Sequence, residues 1–399
     1  MKKENKNAKK NIIYDSIVLF VLIIITFFNV VKSKKAQNLL ILTEENKNIS
    51  KKYKNLITYI HSNGGYVNHK LTPNEISNTN RYIITKEKIK KNEILLFIPD
   101  SILISKLHKS ILGMCREAYG FDEEYDYDCI VYFMTIDKYN SSSIFKPYYE
   151  YLPVINKSEF VFSFSEEEIE TFEDTGITYG IQKYHHFLNK ALRPVEEKLK
   201  IFAKKKNIKY EKILEEFTYN FIMVGTRNFG RPDSFYDINT MVPFLDLLNH
   251  SDKNNTHWYY DEKKEGYILI AVRDIEKNEE ITISYGVLNN SNLYETYGFV
   301  IPGNIVRDNL YAKINGEKIN LNIDFLNYTI PSLFDKLIRE KKFEFNDAKN
   351  LILKDLNYKK NYYLQLKTNR FSLNIIIKEH LDILNEFINY TQNYINQKN

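Results

Sequence analysis

Two stretches decide the fold predicted for this chain. Residues 242–251 read VPFLDLLNHS, and residues 279–299 read EEITISYGVLNNSNLYETYGF. Short apolar and β-branched runs of this kind predict strands, and a further run, GYILIAVRDI at 266–275, lies between them. The polar residues that follow each run are the candidates for a functional site.

Strand signals return upstream, and helical patterns fill the remainder. RYIIT (81–85) and ILLFIP (94–99) predict two strands separated by the polar turn KEKIKKNE. Residues 106–225 show helical spacing with acid-rich starts and Lys-rich ends. Beyond about residue 306, apolar residues recur every three or four positions, as at Ile377, Leu381, Leu384 and Ile388. We therefore expect strands on both sides of a long helical insertion, followed by a helical tail.

Composition excludes several classes of protein. The chain has 399 residues, of which 43% are hydrophobic, enough for a buried core and two or three domains. Its net charge of +5 is mild and spread along the chain, so no nucleic-acid partner is expected. The only two cysteines exclude a disulfide-stapled scaffold and a thiolate-rich zinc cluster. Signatures of phosphate loops, Rossmann folds, zincins and α/β-hydrolases are missing from the sequence.

The N-terminus carries an apolar segment, IIYDSIVLFVLIIITFFNVV at 12–31, flanked by lysines. About 20 apolar residues span a bilayer as a helix, which predicts an uncleaved anchor and a membrane location. The alternative is a signal peptide, with import into an organelle after cleavage. In either case, residues 1–55 comprise this segment and a basic tether.

Two more blocks complete a family pattern: NRYIITKEKIKKNEILLFIP at 80–99 and TRNFG at 226–230. Together the four blocks resemble the SET-domain protein methyltransferases, in the subgroup of the Rubisco large-subunit lysine methyltransferase and the actin-histidine methyltransferase. The resemblance implies an α+β fold. A SET-type β-fold of small threaded sheets would occupy 56–305, with a helical insertion at about 106–225, and a helical substrate-binding domain would occupy 306–399.

The resemblance also implies an activity, which is S-adenosylmethionine-dependent methylation of a lysine on a non-histone protein or peptide. Such an enzyme positions two reactants for in-line transfer and excludes water, and it needs no metal. Two other hypotheses remain open. One is a catalytically inactive SET-like adaptor that binds peptides at a membrane, and the other is a purely structural basic, tyrosine-rich protein.

Residue by residue, Tyr285 matches the catalytic tyrosine of the family. The predicted cofactor-binding residues are Glu93, Ile94, Leu95, Arg227, Asn249 and His250, and the predicted substrate-binding residues are Phe229, Asp246 and Tyr297. An arginine at 227 suits a bidentate contact with the cofactor's carboxylate. Phe229 favours a lysine target, because the histidine-directed relative carries asparagine at this position.

Each motif has a simpler interpretation. Tyr285 could be a core strand residue, Arg227 a surface arginine and Glu93 an ordinary turn residue. Residues 249–251 also form an N-glycosylation sequon, and His250 with His257 could suggest a metal site. One departure from the family stands in the first block, where residues 80–83 read NRYI in place of G-R-G-L and put side chains where glycines let backbone approach the cofactor.

Overall fold

The structure is a computed structural model. It describes residues 50–394, apart from 78–79, 121–124, 156–159, 161–162, 176, 233–236, 305–307 and 309. The predicted membrane segment at 12–31 lies outside these residues. Within the described part of the chain, no helix combines the length and apolar character needed to cross a bilayer.

Twelve helices are described, and the long ones fall where the sequence predicts them. They are α1 (Lys51–Ser62), α2 (Lys109–Tyr119), α3 (Asp126–Asp137), α4 (Lys146–Tyr151), α5 (Glu166–Thr171), α6 (Ile177–Leu192), α7 (Glu196–Lys206), α8 (Tyr210–Arg227), α9 (Asn290–Tyr297), α10 (Leu326–Arg339), α11 (Phe345–Gln365) and α12 (Phe371–Asn393).

The described strands are short and also number twelve. They are β1 (Tyr66–Val67), β2 (Leu71–Glu75), β3 (Arg81–Thr85), β4 (Ile94–Pro99), β5 (Asn228–Pro232), β6 (Asp237–Met241), β7 (Asn249–His250), β8 (Thr256–Asp261), β9 (Gly266–Ala271), β10 (Thr282–Ile283), β11 (Leu310–Ile314) and β12 (Glu317–Leu321).

The strands form several small sheets instead of one large sheet. The largest has the order β1-β4-β9-β8 and is antiparallel throughout. Four two-stranded pairs accompany it: β2–β3, β5–β6, β11–β12 and the parallel pair β7–β10. Strand β9 is buried along nearly its whole length, as its apolar sequence GYILIA requires when both faces are covered. This is the predicted α+β class of small, separate sheets.

Helices α2 to α8 lie in the chain between β4 and β5, where the helical insertion is predicted. Helix α3 is apolar and buried on almost every side because α2 and α8 both pack against it. Cys115 of α2 and Cys129 of α3 form a disulfide pair with Cα atoms 5.3 Å apart. One such crosslink joins two helices of the insertion and leaves the hydrophobic core as the main source of stability.

Two hydrophobic clusters account for most of the buried apolar residues. The first runs from Tyr53 to Ile283 and includes the four-stranded sheet and most of the insertion. The second joins α10, α11 and α12 with the β11–β12 hairpin and with Phe164 and Phe172 from around α5. An ion pair of 2.7 Å between Arg370 and Glu168 links the same regions. The predicted division into domains at residues 55 and 305 stays a prediction.

Candidate active site

The two stretches at 242–251 and 279–299, which decide the predicted fold, lie side by side. After a turn at Phe244, where φ is 69°, residues Leu245–Leu247 form a single 3-10 turn. The chain then enters β7, which pairs in parallel with β10 so that Asn249 lies opposite Thr282 and His250 opposite Ile283. The polar ends of both motifs therefore reach the same place although they are more than 30 residues apart in sequence.

His250 holds the backbone that follows β10. Its Nδ1 accepts a hydrogen bond of 3.0 Å from the backbone N–H of Tyr285, and its Nε2 lies 3.1 Å from Oδ1 of Asp252. Because Nδ1 is an acceptor here, the proton belongs on Nε2, which donates to the carboxylate. The His250 side chain is 1% exposed, so the ring acts as an internal support instead of a metal ligand.

Tyr285 stands among other aromatic rings. Its hydroxyl donates a hydrogen bond of 2.7 Å to the carbonyl of Leu248. Its ring centroid lies 4.8 Å from that of Tyr297 and 6.5 Å from that of Phe299. Burial raises the pKa of Tyr285 despite the nearby Arg227 charge. The residue therefore keeps its proton, and the remaining lone pairs of its oxygen are available to accept a hydrogen bond.

A buried ionic group lies behind the tyrosine. The guanidinium of Arg227 donates a hydrogen bond of 2.6 Å from Nη1 to the backbone carbonyl of Asp246. Two hydroxyls donate to the Asp246 carboxylate, that of Tyr148 at 3.0 Å and that of Tyr151. Burial opposes the charge on Arg227, but the Asp246 carboxylate raises the pKa of the arginine. Arg227 thus stays cationic, and its Nε has no acceptor among the described residues.

Arg81 adds a second cation to the group. It begins β3, where residues 81, 83 and 85 are buried and their neighbours face the other way, as strand alternation requires. Its guanidinium donates to the backbone carbonyl of Tyr151, and its own carbonyl accepts a hydrogen bond of 3.0 Å from Asn249. Burial, reinforced by repulsion from Arg227, lowers the pKa of Arg81.

These residues surround two neighbouring cavities. The larger, the 540 Å³ cavity, is lined by Arg81, Pro153, Val154, Ile155, Phe160, Met223, Thr226, Arg227, Asp246, Leu247, Asn249, His250, Glu280, Tyr285, Tyr297, Gly298 and Phe299. The smaller, the 210 Å³ cavity, is lined by Thr226, Arg227, Asn228, Phe229, Gly230, Asp246, Leu248, Trp258, Ile283, Ser284, Tyr285 and Tyr297.

The two cavities share one wall. Its members are Thr226, Arg227, Asp246, Tyr285 and Tyr297, all of which line both spaces. A molecule in one cavity and a side chain in the other would therefore approach each other at this wall, which is the arrangement that transfer of a small group requires.

Six predicted site residues converge on the larger cavity, and Phe229 lies in the smaller one. The six are Arg227, Asp246, Asn249, His250, Tyr285 and Tyr297. Asp246 does not present a free carboxylate to either space, because Tyr148 and Tyr151 occupy its oxygens.

Glu93, Ile94 and Leu95 are not brought to either cavity. None of them is among the described residues that line these spaces. Glu93 accepts hydrogen bonds from Lys70 at 2.8 Å and Asn68 at 3.0 Å, and its neighbours start β4, which pairs with β9. Their role in cofactor binding stays a prediction, whereas the alternation of β3 directs Arg81 to the larger cavity.

The replaced glycines of the first block leave the cavity free. Asn80 and Tyr82 do not line it, since both flank the inward-facing Arg81. The sequence analysis also missed Phe299, Glu280 and Trp258 as lining residues. Phe299 ends the quoted Y-G-F motif and could have been chosen, whereas nothing in the sequence singles out the other two.

Comparison with known proteins agrees with this geometry. The SET domain family matches residues 80–286, just over half of the chain. The chain therefore belongs to the SET domain family. The match includes β3 through β10 and with them every residue of the shared wall except Tyr297.

Relatives of known name point to one branch of the family. The chain is 22% identical to human N-lysine methyltransferase SETD6 over 232 residues, which is 55% of this chain and 48% of that protein. It is 24% identical to SET domain-containing protein 4 of Artemia parthenogenetica, over 59% of each chain. The chain thus spans about half the length of these relatives.

Solved structures share the fold. The structure of Rubisco LSMT bound to AdoMet matches with a TM-score of 0.60 at 15% identity, over 86% of this chain and 92% of that one. The SET domain of LSMT bound to MeLysine and AdoHcy matches with a TM-score of 0.59 at the same identity and coverage. The predicted SET domain and its α+β fold are thereby confirmed.

Proposed function

We propose that this protein transfers a methyl group from S-adenosylmethionine to the side-chain amine of a lysine in another protein. The observation that carries the proposal is the pair of cavities that meet at the wall containing Tyr285. The SET domain match and the named relatives supply the reaction class.

The 540 Å³ cavity suits the cofactor. Its volume lies within the range of sites for ligands of this size. Arg227 offers a buried guanidinium whose Nε lacks an acceptor, and a carboxylate such as the one on the cofactor's methionine end would satisfy it. The rings of Tyr285, Tyr297 and Phe299 present aromatic surface, which favours a sulfonium cation. When bound, the cofactor supplies an electrophilic methyl group.

The 210 Å³ cavity suits the lysine side chain. Phe229 and Trp258 form its apolar sides, with ring centroids 5.1 Å apart and planes 88° apart. An apolar channel disfavours an ammonium ion, and the nearby charges of Arg227 and Arg81 act in the same direction. The amine would therefore enter the wall region in its neutral form, with its lone pair available for attack.

Tyr285 directs that lone pair. Its hydroxyl proton is committed to the Leu248 carbonyl, so its oxygen can accept an N–H of the amine. One N–H fixed in this way turns the lone pair toward the larger cavity, where the methyl group would lie. With both reactants bound, the aromatic rings around Tyr285 would limit the access of water to this point, and His250 fixes the backbone of Tyr285.

A labelling experiment tests the proposal. The purified full chain is incubated with cell lysate and S-adenosylmethionine that is tritiated on the methyl group, and the labelled protein is hydrolysed to amino acids. We expect label in methyl-lysine and its near-complete loss with Tyr285→Phe. Label in methyl-histidine would support the methyltransferase activity but refute lysine as the target residue.

The inactive-adaptor hypothesis makes a different prediction. If the protein only binds peptides, calorimetric titration with S-adenosylmethionine gives no heat, and no substrate is labelled at any enzyme concentration. Heat without label, by contrast, would mean that the cofactor site is intact and that the lysate lacks the target protein.

Attachment to a membrane through residues 12–31 is a separate part of the proposal. It rests only on the apolar sequence of that segment. Extraction of cell membranes with alkaline carbonate tests it: an anchored chain stays in the pellet, whereas a chain cleaved after import is released and is shorter.

A further inference from the structure

A third cavity shares Thr226 with the 210 Å³ cavity, called the amine channel below, and shares Thr226 and Phe160 with the 540 Å³ cavity. It has a volume of about 150 Å³ and is lined by Tyr127, Phe160, Tyr184, Phe221, Ile222, Gly225, Thr226, Glu295 and Thr296. Thr296 is exposed, so the cavity opens to the surface beside α9. Four aromatic rings and one carboxylate dominate its lining, and no step of the proposed transfer uses them.

Three of the rings are arranged as faces of a box. The ring of Tyr127 lies 5.1 Å from that of Phe221 at an interplanar angle of 73°, and the ring of Tyr184 lies 5.4 Å from it at 86°. Both tyrosine rings thus stand nearly perpendicular to the phenylalanine. Phe160 adds a fourth ring next to Gly298.

Glu295 supplies the only carboxylate among the lining residues. No described residue donates a hydrogen bond to it, and no described cation lies within ion-pair distance. A Cβ added at Gly180 of α6 would lie 2.6 Å from Cδ of Glu295, so the carboxyl group rests directly on the α6 backbone. Glycine in a helix interior costs about 1 kcal/mol relative to alanine. Here it makes room for an acid to which no described residue donates a hydrogen bond.

Gly225 has the matching role in α8. A Cβ added there would lie 2.9 Å from the hydroxyl oxygen of Tyr127. The hydroxyl of Tyr127 donates to the backbone carbonyl of Phe221, which fixes this ring at the edge of the cavity. Two helix glycines therefore admit two of the side chains that line this cavity, those of Glu295 and Tyr127.

We propose that this cavity binds the methylated ammonium head of a lysine side chain that a partner protein presents. Aromatic faces attract an alkylated cation through their quadrupoles, and a carboxylate left without a donor supplies the opposite charge. An apolar cavity of about 150 Å³ holds a molecule the size of benzene, which is comparable to a trimethylammonium group. This site is distinct from the amine channel and does not rest on the proposed transfer reaction.

The charge on Glu295 supports this assignment. Burial raises the pKa of Glu295 to about 7, with Lys183 opposing the shift and Asp308 adding to it. Tyr127 and Tyr184 face the same space, and burial raises the pKa of both, so they keep their protons. A bound cation would favour ionised Glu295. Affinity should therefore increase about tenfold from pH 6 to pH 8 as the empty site becomes charged.

The test uses the full chain and three probes, without any methyl donor. They are Nα-acetyl-trimethyl-lysine amide, its uncharged tert-butyl analogue and the unmethylated lysine amide, each titrated by calorimetry at pH 8. We expect the trimethylated probe to bind at least about tenfold more tightly than either of the others. Equal affinity for the trimethylated and uncharged probes would overturn the proposal.

Variants locate the binding. Glu295→Gln should weaken the binding of the trimethylated probe about tenfold or more and remove the pH dependence of its affinity. Gly180→Ala should also weaken binding, because the new Cβ displaces the Glu295 carboxyl. The melting temperature of each protein at pH 8 is the folding control. If the Glu295→Gln variant melts no lower than the native protein, it still folds. If Phe229→Ala abolishes binding and Glu295→Gln does not, the probe occupies the amine channel and the proposal is wrong.

The readout separates this site from the proposed enzyme. Binding in the absence of a methyl donor is independent of turnover, so a protein that fails to methylate lysate proteins could still bind the trimethylated probe. Conversely, an active methyltransferase that shows no Glu295-dependent binding would refute only the present inference.

Discussion

The backbone N–H of Tyr285 donates a hydrogen bond of 3.0 Å to Nδ1 of His250. The imidazole is in turn fixed by Asp252 at 3.1 Å. Through this link, the histidine of one motif sets the backbone position of the tyrosine in the other, 35 residues later. The His250 ring therefore acts as a positioning group for Tyr285.

The first prediction concerns that link. His250→Leu introduces an apolar side chain of similar size and leaves the Tyr285 N–H without its acceptor. This loss should lower the free energy of unfolding by about 1–3 kcal/mol. Methyl transfer should decrease more than cofactor binding, as measured by turnover and by calorimetry. His250→Asn offers an oxygen close to the position of Nδ1 and should restore much of the turnover. Equal activity in both variants would contradict the positioning role.

The second prediction concerns the Tyr285 hydroxyl. Tyr285→Phe retains the ring packing against Tyr297 but removes the group that would orient the amine. Turnover should decrease about a hundredfold, whereas the Kd for S-adenosylmethionine should change by less than about twofold. Tyr260→Phe is the matched control, because the Tyr260 hydroxyl bonds Asp100 away from both cavities. Loss of cofactor binding in Tyr285→Phe would disprove this role.

The third prediction separates the two cavities. Phe229 lines only the smaller one and Phe299 only the larger. Phe229→Ala should raise the KM for a lysine peptide about tenfold and leave cofactor affinity unchanged. Phe299→Ala should weaken the binding of the cofactor and leave the KM for the peptide nearly unchanged. Steady-state kinetics with each substrate varied in turn gives both values, and a reversed pattern would exchange the assignments of the cavities.

The fourth prediction concerns stability and pH. The Arg273 guanidinium lowers the pKa of Glu279 to about 2, with help from the backbone N–H of Glu276 and the amide of Asn255. An acid with a lowered pKa in the folded state stabilises the protein above its unfolded pKa of about 4.5. This contribution is lost as the pH falls toward about 2.

Glu279→Gln should therefore lower the free energy of unfolding by about 1–2 kcal/mol at pH 7, a value reduced to allow for the 30% exposure of the side chain. The difference in unfolding free energy between the variant and the native protein should shrink between about pH 4.5 and pH 2. Denaturant titration at each pH measures this difference. Gln in place of the exposed Glu262 is the control and should have little effect. A deficit that persists at pH 2 would assign the effect to packing instead of charge.

Sequence patterns predicted the elements that periodicity governs. Strands β3 and β4 have the predicted bounds because their apolar runs end at polar turns, and α12 follows the spacing of Ile377 to Ile388. The convergence of Arg227, Asn249, His250 and Tyr285 depended instead on the family resemblance, since tertiary contacts decide which distant segments meet.

The remaining site residues depend on orientation, which sequence encodes poorly. Arg81 reaches the larger cavity because β3 alternates and because its strand contacts the segment before β10 at Ile84 and Glu280. Glu93 was assigned from the family resemblance, yet its carboxylate accepts hydrogen bonds from Lys70 and Asn68 and does not line either cavity. Glu295 lies inside the 279–299 stretch but was assigned no role there, and only the packing of α6 against α9 gives it a chemical setting.

The parallel pairing of β7 with β10 has a consequence for how the protein is made. Parallel neighbours cannot be joined by a tight turn, so the intervening segment forms β8 and β9, and β9 pairs with β4 in a different sheet. Contacts between such distant segments form slowly. On the ribosome, the wall between the two cavities can close only after Tyr297 has emerged, so nascent chains that stop earlier will lack both binding sites however well their helices have formed.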